Sequence, residues 1–154
     1  MFNDLHYLMQ LALEEAVKAA AEGEIPIGAV LTDPAGKIVA KAHNRPISFK
    51  DPTAHAEILA LRSAAAHYNN YRINDATLVV TIEPCPMCMG AALHARIARL
   101  VFGAFDPKWG AAGSLYNLGA DNRFNHRVEV ISGIMEEECA ELLKDFFLVR
   151  RAEV

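Results

Sequence analysis

The stretch ATLVVTIEPCPMCMGAALHAR, residues 76 to 96, constrains the fold more than any other part of the chain. Ala76 to Ile82 is the most continuous β-forming run and reads as a buried strand. Pro86 stands where a first helical residue is favoured, and the Ala-rich segment behind it is helical. Residues 98 to 105 supply another β run, so strand, helix and strand form a right-handed parallel crossover. Cys85 and Cys88 fall in the first turn of that helix, at the carboxyl end of a strand, where open α/β sheets bind their ligands.

The remaining elements fit around this unit. Apolar residues at 5, 8, 9, 12, 13, 16 and 20 recur at helical spacing, with Asn3 or Asp4 as cap and Gly23 as stop. Ile25 to Thr32 and Lys37 to His43 are β-rich runs joined by Asp-Pro-Ala-Gly, a hairpin. A second helix is expected from near 53, with Thr53 as its N-cap. Arg127 to Ile131 alternates as a strand, and 135 to 151 closes the chain as a helix with acidic residues first and Arg150 and Arg151 last, matching its macrodipole. The expected fold is a single domain over residues 1 to 154, a three-layer α/β/α sandwich with a mixed sheet of five strands.

Composition narrows the class. Hydrophobic residues make up 53% and charged residues 22%, too apolar for disorder. No apolar run approaches the ~18 residues of a membrane span, and the N-terminus lacks the basic start of a secretory signal, so the expectation is a cytoplasmic protein without membrane association. In that compartment a C-x-x-C pair reads as metal-binding or redox-active rather than as a structural disulfide. A net charge of −4 argues against non-specific polyanion binding, so any nucleic-acid partner must be held by locally placed cations.

His55 is expected in the first turn of the second helix, as the two cysteines are in theirs. Partial positive charge at a helix N-terminus favours thiolates. Two thiolates and an imidazole suit tetrahedral zinc, and a set of only three protein ligands leaves a position for water, the pattern of a catalytic rather than a structural site. Glu57 lies two residues past His55, off the face that would let both ligate one ion, and suits proton transfer instead. Pro-Cys-x-x-Cys arises by chance in about one chain in a thousand of this length, which weighs against a packing role. His6, His43, His67, His94 and His126 show no zinc-finger spacing, and Cys139 reads as a buried small residue. Two other classes stay open: a thioredoxin-like dithiol, which leaves His55 and Glu57 without a task, and an RNA-binding module with structural zinc.

His55-x-Glu57 with Pro84-Cys85-x-x-Cys88 is the zinc-deaminase signature. Beyond it, the chain resembles the bacterial tRNA-specific adenosine deaminases, within the cytidine/deoxycytidylate deaminase-like family. The likeness runs through NRPI at 44 to 47, DPTAHAEILALR at 51 to 62, NYRINDATLVVTIEPCPMC at 70 to 88, RIARLVFGAFDPKWGAAGSL at 96 to 115, NHRVE at 125 to 129, and the terminal DFF and RR. The resemblance implies a cytidine-deaminase-like fold, a homodimer, and conversion of adenosine to inosine at the wobble position of a tRNA anticodon. It implies Zn2+ held by His55, Cys85 and Cys88, with Glu57 carrying protons and Asn44 bonding the nucleoside. Asp106 and Lys108 match a loop set against the anticodon loop, and Phe147, Arg150 and Arg151 match the C-terminal helix that accompanies it. Arg45, Lys50, Lys108, Arg150 and Arg151 are the cations placed to grip a short RNA loop in an acidic chain. The rival within the enzymes is a deaminase of free nucleobases or nucleosides.

Overall fold

A computed structural model describes residues 4–153. Asp4 caps the first helix, α1 (Leu5–Ala21), by accepting the N–H of His6 at 3.0 Å, which satisfies one of the donors a helix start leaves over. The buried stripe of α1 is Leu8, Met9, Ala12, Ala16 and Ala19, the helical spacing seen in the sequence. Strands β1 (Gly28–Thr32) and β2 (Ile38–His43) form the expected hairpin, whose turn is held by Asp33 Oδ1 accepting from Ala35 and Lys37 at 2.9 and 2.8 Å. The chain continues through a short helix α2 (Pro46–Phe49), helix α3 (Ala56–Tyr68), strand β3 (Thr77–Ile82), helix α4 (Pro86–Ala95) and strand β4 (Arg99–Ala104). A 3₁₀ turn at Leu118–Ala120, strand β5 (Glu129–Ile131) and helix α5 (Glu136–Ala152) complete it.

The five strands lie in the order β2-β1-β3-β4-β5, with β1 antiparallel to both neighbours and β3, β4 and β5 mutually parallel. This is the mixed sheet and the parallel crossover expected. Alternation splits the core in two. Ala29, Leu31, Leu78, Val80, Leu100 and Phe102 pack with α3 and α4. Val30, Val79 and Val101 pack with Leu8, Met9 and Ala12 of α1 and Cys139 of α5. Each buried Leu, Val or Phe contributes about 1.5–3 kcal/mol, so both layers are held chiefly by apolar burial. Helix α1 lies hard against β1: a Cβ on Gly28 would stand 1.9 Å from the Ala12 carbonyl oxygen, so only glycine fits there.

Local details depart from expectation for identifiable reasons. Helix α3 begins at Ala56 rather than near 53, because the Thr53 N–H and hydroxyl both turn back onto Asp51 Oδ1, at 2.8 and 2.7 Å, instead of facing a helix. Strand β5 is shorter than 127 to 131, since the Val128 N–H goes to the Gly119 carbonyl at 2.9 Å and not to β4. Helix α2 was not expected, its four residues being too short for any period to register.

Antiparallel β1 against β3 brings the start of β1 and the ends of β2, β3 and β4 to one end of the sheet. The opposite end carries two cavities, of about 200 and 310 Å³, among residues such as Asp33, Pro34, Tyr68, Arg72 and Arg99. No candidate site residue lines either one.

Candidate metal and proton-transfer site

His55 and Cys85 occupy equivalent places. Each is the N-cap of its helix, α3 or α4, in extended conformation, and each carbonyl accepts the first intrahelical N–H, from Leu59 and Met89, both at 3.0 Å. Pro86 at the first helical position of α4 fixes the turn, and Cys88 follows inside the first turn. The sequence placed His55 and Cys85 one step too far inside; at the cap, each side chain is free to turn across the helix end toward the other.

His55 Nδ1 lies 3.7 Å from Cys85 Sγ and 3.5 Å from Cys88 Sγ, and the three ligand atoms lie within 4.8 Å of one another. Zinc–sulfur bonds of about 2.3 Å and zinc–nitrogen bonds of about 2.0–2.1 Å, at tetrahedral angles, require N to S edges of about 3.6 Å. The residues present therefore fit a zinc ion in both donor chemistry and spacing, and zinc is the cofactor of this domain. Hydrogen bonding from Cys88 and then from His55 overcomes burial and takes the Cys85 thiol down to about 4. Cys88, which donates to it and is buried, is pushed the other way. The hydrogen bond with Cys85 also raises His55.

Glu57 sits at the second position of α3 and is 3% exposed. Burial lifts its carboxyl from 4.5 to about 7, with its own backbone N–H and His55 opposing the rise. A carboxyl poised near neutrality beside a set of metal-binding donors can both take and return a proton.

Asn44, 4% exposed, follows β2. Its Oδ1 accepts the Ala56 N–H at 2.7 Å, capping α3 from another segment, and its amide nitrogen donates to none of the described residues. Arg45 is braced: its guanidinium lies 4.6 Å over the Phe49 ring and 3.4 Å from Glu22, which also meets His43 at 3.1 Å. The second ring nitrogen of His43 reaches Glu15 at 3.3 Å.

Asp106 Oδ1 accepts the N–H groups of Lys108 and Trp109, at 3.0 and 3.2 Å, so this carboxylate shapes its own loop. Lys108 is exposed and its ammonium has no ionic partner among the described residues. On α5, Arg150 donates to the Gly23 carbonyl and stacks 4.8 Å from the Phe146 ring, tying the helix to the tail of α1. Phe147 is 40% exposed, and Arg151 is exposed and unpaired among the described residues. The structure thus brings His55, Glu57, Cys85, Cys88 and Asn44 together. Asp106 and Lys108 lie on the segment that follows β4 at the same end, while Phe147, Arg150 and Arg151 belong to a helix packed on the other face of the sheet.

Three buried carboxylates were not singled out in the sequence, Glu15 of α1 and two that hold loops near the site, Glu24 and Glu83. Glu24, 1% exposed, accepts from the Ile47 N–H at 3.1 Å and from the Ser48 N–H and hydroxyl at 2.7 and 2.8 Å, pinning α2 beside Asn44 and Arg45. Burial alone would raise it, yet the Ser48 and Ile47 donors together carry it below 4.5. Glu83, 3% exposed, closes β3 just ahead of the cysteines. The available signal was a carboxylate set against Pro at the end of an apolar run, as in Ile82-Glu83-Pro84.

Comparison with known proteins agrees with this geometry. Residues 2–104 match the cytidine and deoxycytidylate deaminase zinc-binding region. The tRNA-specific adenosine deaminase of Haemophilus influenzae is 54% identical over 95% of this chain and 84% of its own. That of Bacillus subtilis is 50% identical over 90% and 86%. A solved structure from work on A-to-I editing by tRNA:A34 deaminases at the wobble position of transfer RNA superposes with a TM-score of 0.85 at 43% identity, covering 88% of this chain and 98% of that one. Similarity of this depth, along nearly the whole length and across the zinc-binding region, places the chain in the tRNA-specific adenosine deaminases of the cytidine and deoxycytidylate deaminase family.

Proposed function

We propose that the protein hydrolyses adenosine to inosine at the wobble position of a tRNA anticodon, and that the whole chain is one deaminase domain. The observation that carries the reading is the donor triad at zinc-sized spacing beside a carboxyl that burial holds near neutrality. The relatives' RNA substrate then selects among deaminases.

His55 Nδ1, Cys85 Sγ and Cys88 Sγ would hold zinc, which supplies the Lewis acidity that brings a water's pKa from 15.7 toward about 7. Glu57 accepts a proton from the attacking water on its carboxylate. It gives that proton to N1 of the purine, then collects the proton of the hydroxyl formed at C6 and passes it to the departing amino group, so that water and adenosine become inosine and ammonia with no net proton change. The Asn44 amide, its oxygen committed to Ala56, turns its N–H donors to the nucleoside. A wobble base in a single-stranded loop costs less to extrude than one in a duplex, which relaxes the demand for overall positive charge. Lys108 on the exposed loop, with Arg45 and Lys50 near Asn44, supplies local cations for phosphate, and Phe147, Arg150 and Arg151 are the weaker RNA contacts on α5.

Ile47, Phe49, Leu115 and Tyr116 are all exposed on segments that leave the reactive end of the sheet, an apolar rim that supports a homodimer. No helix among the described residues is long and apolar enough to cross a membrane, consistent with work in the cytoplasm on tRNA. The direct test offers the zinc-loaded protein an anticodon stem-loop, free adenosine, cytidine and guanine. Inosine is expected only in the RNA; deamination of the free bases at equal efficiency would overturn the assignment. Light scattering should give twice the chain mass.

A further inference from the structure

Glu83 stands two residues before Cys85, 3% exposed and without a cation partner among the described residues. A buried carboxylate is costly unless fully hydrogen bonded, so its donors show what it is kept for. All of them come from the segment after β4. Oε1 accepts the Asp106 N–H at 2.9 Å and the Ser114 hydroxyl, and Oε2 accepts the N–H groups of Ala112 and Ser114 at 3.0 and 2.9 Å. The neighbouring main chain adds one more tie, Ala111 N–H to the Pro84 carbonyl at 2.8 Å.

Gly110 makes the approach possible. A Cβ there would stand 2.3 Å from Glu83 Cδ and 2.5 Å from the Asp106 carbonyl oxygen. What is held outward by this anchor is the rim at 105 to 109, with Lys108 exposed and Trp109 66% exposed. An apolar side chain could plug the same space; it could not hold four donors in register.

We propose that Glu83 is a positioning residue for substrate binding, a carboxylate hub that fixes the exposed rim at 105 to 109 relative to the turn bearing Cys85 and Cys88. The hub does not touch the reacting atoms. It converts the loop from a mobile approach surface into a preorganised one, which reduces the ordering cost on binding. The inference rests on the reading that this end of the sheet takes an RNA loop.

Steady-state kinetics on an anticodon stem-loop, with zinc content measured for each variant, test it. Glu83→Gln turns an N–H pair toward backbone N–H donors, and Gly110→Ala pushes the loop off the hub without altering the carboxylate. Both should raise KM about tenfold, the effect of about 1.4 kcal/mol, with kcat within about threefold and zinc retained. Ser114→Ala should raise KM about threefold through loss of one hydroxyl donor, and Ser114→Thr, which keeps that donor, should restore it. Loss of zinc or of kcat at unchanged KM would assign Glu83 to the metal turn and overturn the proposal, as would kinetics unchanged in every variant. Should Glu83→Gln fail to fold, the Ser114 pair decides. A wild-type protein that leaves the stem-loop unconverted refutes the RNA reading itself; a wild type that converts it, matched by all variants, refutes only the hub.

Discussion

Glu57 and Glu24 are the same residue type, 3% and 1% exposed, yet the protein drives them in opposite directions. Glu57 lies within α3, where its own backbone N–H, the charge of His55 and the Cys88 thiol do not offset burial, so its carboxyl rises to about 7. Glu24 lies beneath the single exposed turn α2 and is met by three donors, two of them backbone, which keep it ionised despite its cover. Burial alone does not say what a carboxylate does. The donors around it decide whether it moves protons or holds the chain in place.

If that division is right, the two regions fail differently. Glu57→Gln should lower turnover on the stem-loop by about 10²–10⁴-fold, with zinc retained and the melting temperature within about 3 °C of wild type. Retained turnover breaks the comparison at its first term. Glu24→Ala leaves the Ile47 and Ser48 donors without a partner and should cost about 3 kcal/mol, a drop in melting temperature of about 6–12 °C, with kcat of the folded protein within about threefold. A stable Glu24→Ala with collapsed kcat would show that the carboxylate serves chemistry after all.

Acid sharpens the same contrast. Because the folded pKa of Glu24 lies below 4.5, its contribution is present above 4.5 and disappears as pH falls through the folded value. The stability gap between wild type and Glu24→Gln should therefore be widest near neutrality and close on acidification, which denaturant titrations at stepped pH would read. The smallest effect is Ser48→Ala, which removes only the hydroxyl donor at 2.8 Å and should cost about 1 kcal/mol.

What the sequence disclosed followed from how local each signal was. The strand at 77 to 82, the proline that opens α4 and the two cysteines are neighbours in the chain, so fold class and two metal-binding candidates emerge from one stretch. His55 joined them because both halves of a known motif open helices. Asn44 was expected at the nucleoside, but its capping of α3 was invisible, since Ala56 lies twelve positions on and no spacing rule links a strand end to a later helix. Glu24 and Glu83 escaped for the same reason: a lone carboxylate reads as a surface charge until the segments it grips, 23 and more residues away, are folded against it. Arg150 was expected at the RNA because it matches the family's C-terminal helix, and its donation to the Gly23 carbonyl, 127 positions away, lay beyond any spacing rule.

The Ala12 carbonyl above Gly28 leaves clearance for a hydrogen atom and nothing more. A methyl group at that spot would have to lever α1 off the sheet, and the tail of α1 leads within three residues to Glu24. Gly28 opens β1 at the reactive end, beside the Ile27 carbonyl that accepts the Asn44 N–H at 3.0 Å, so the added methyl group would loosen the wall of the entrance directly.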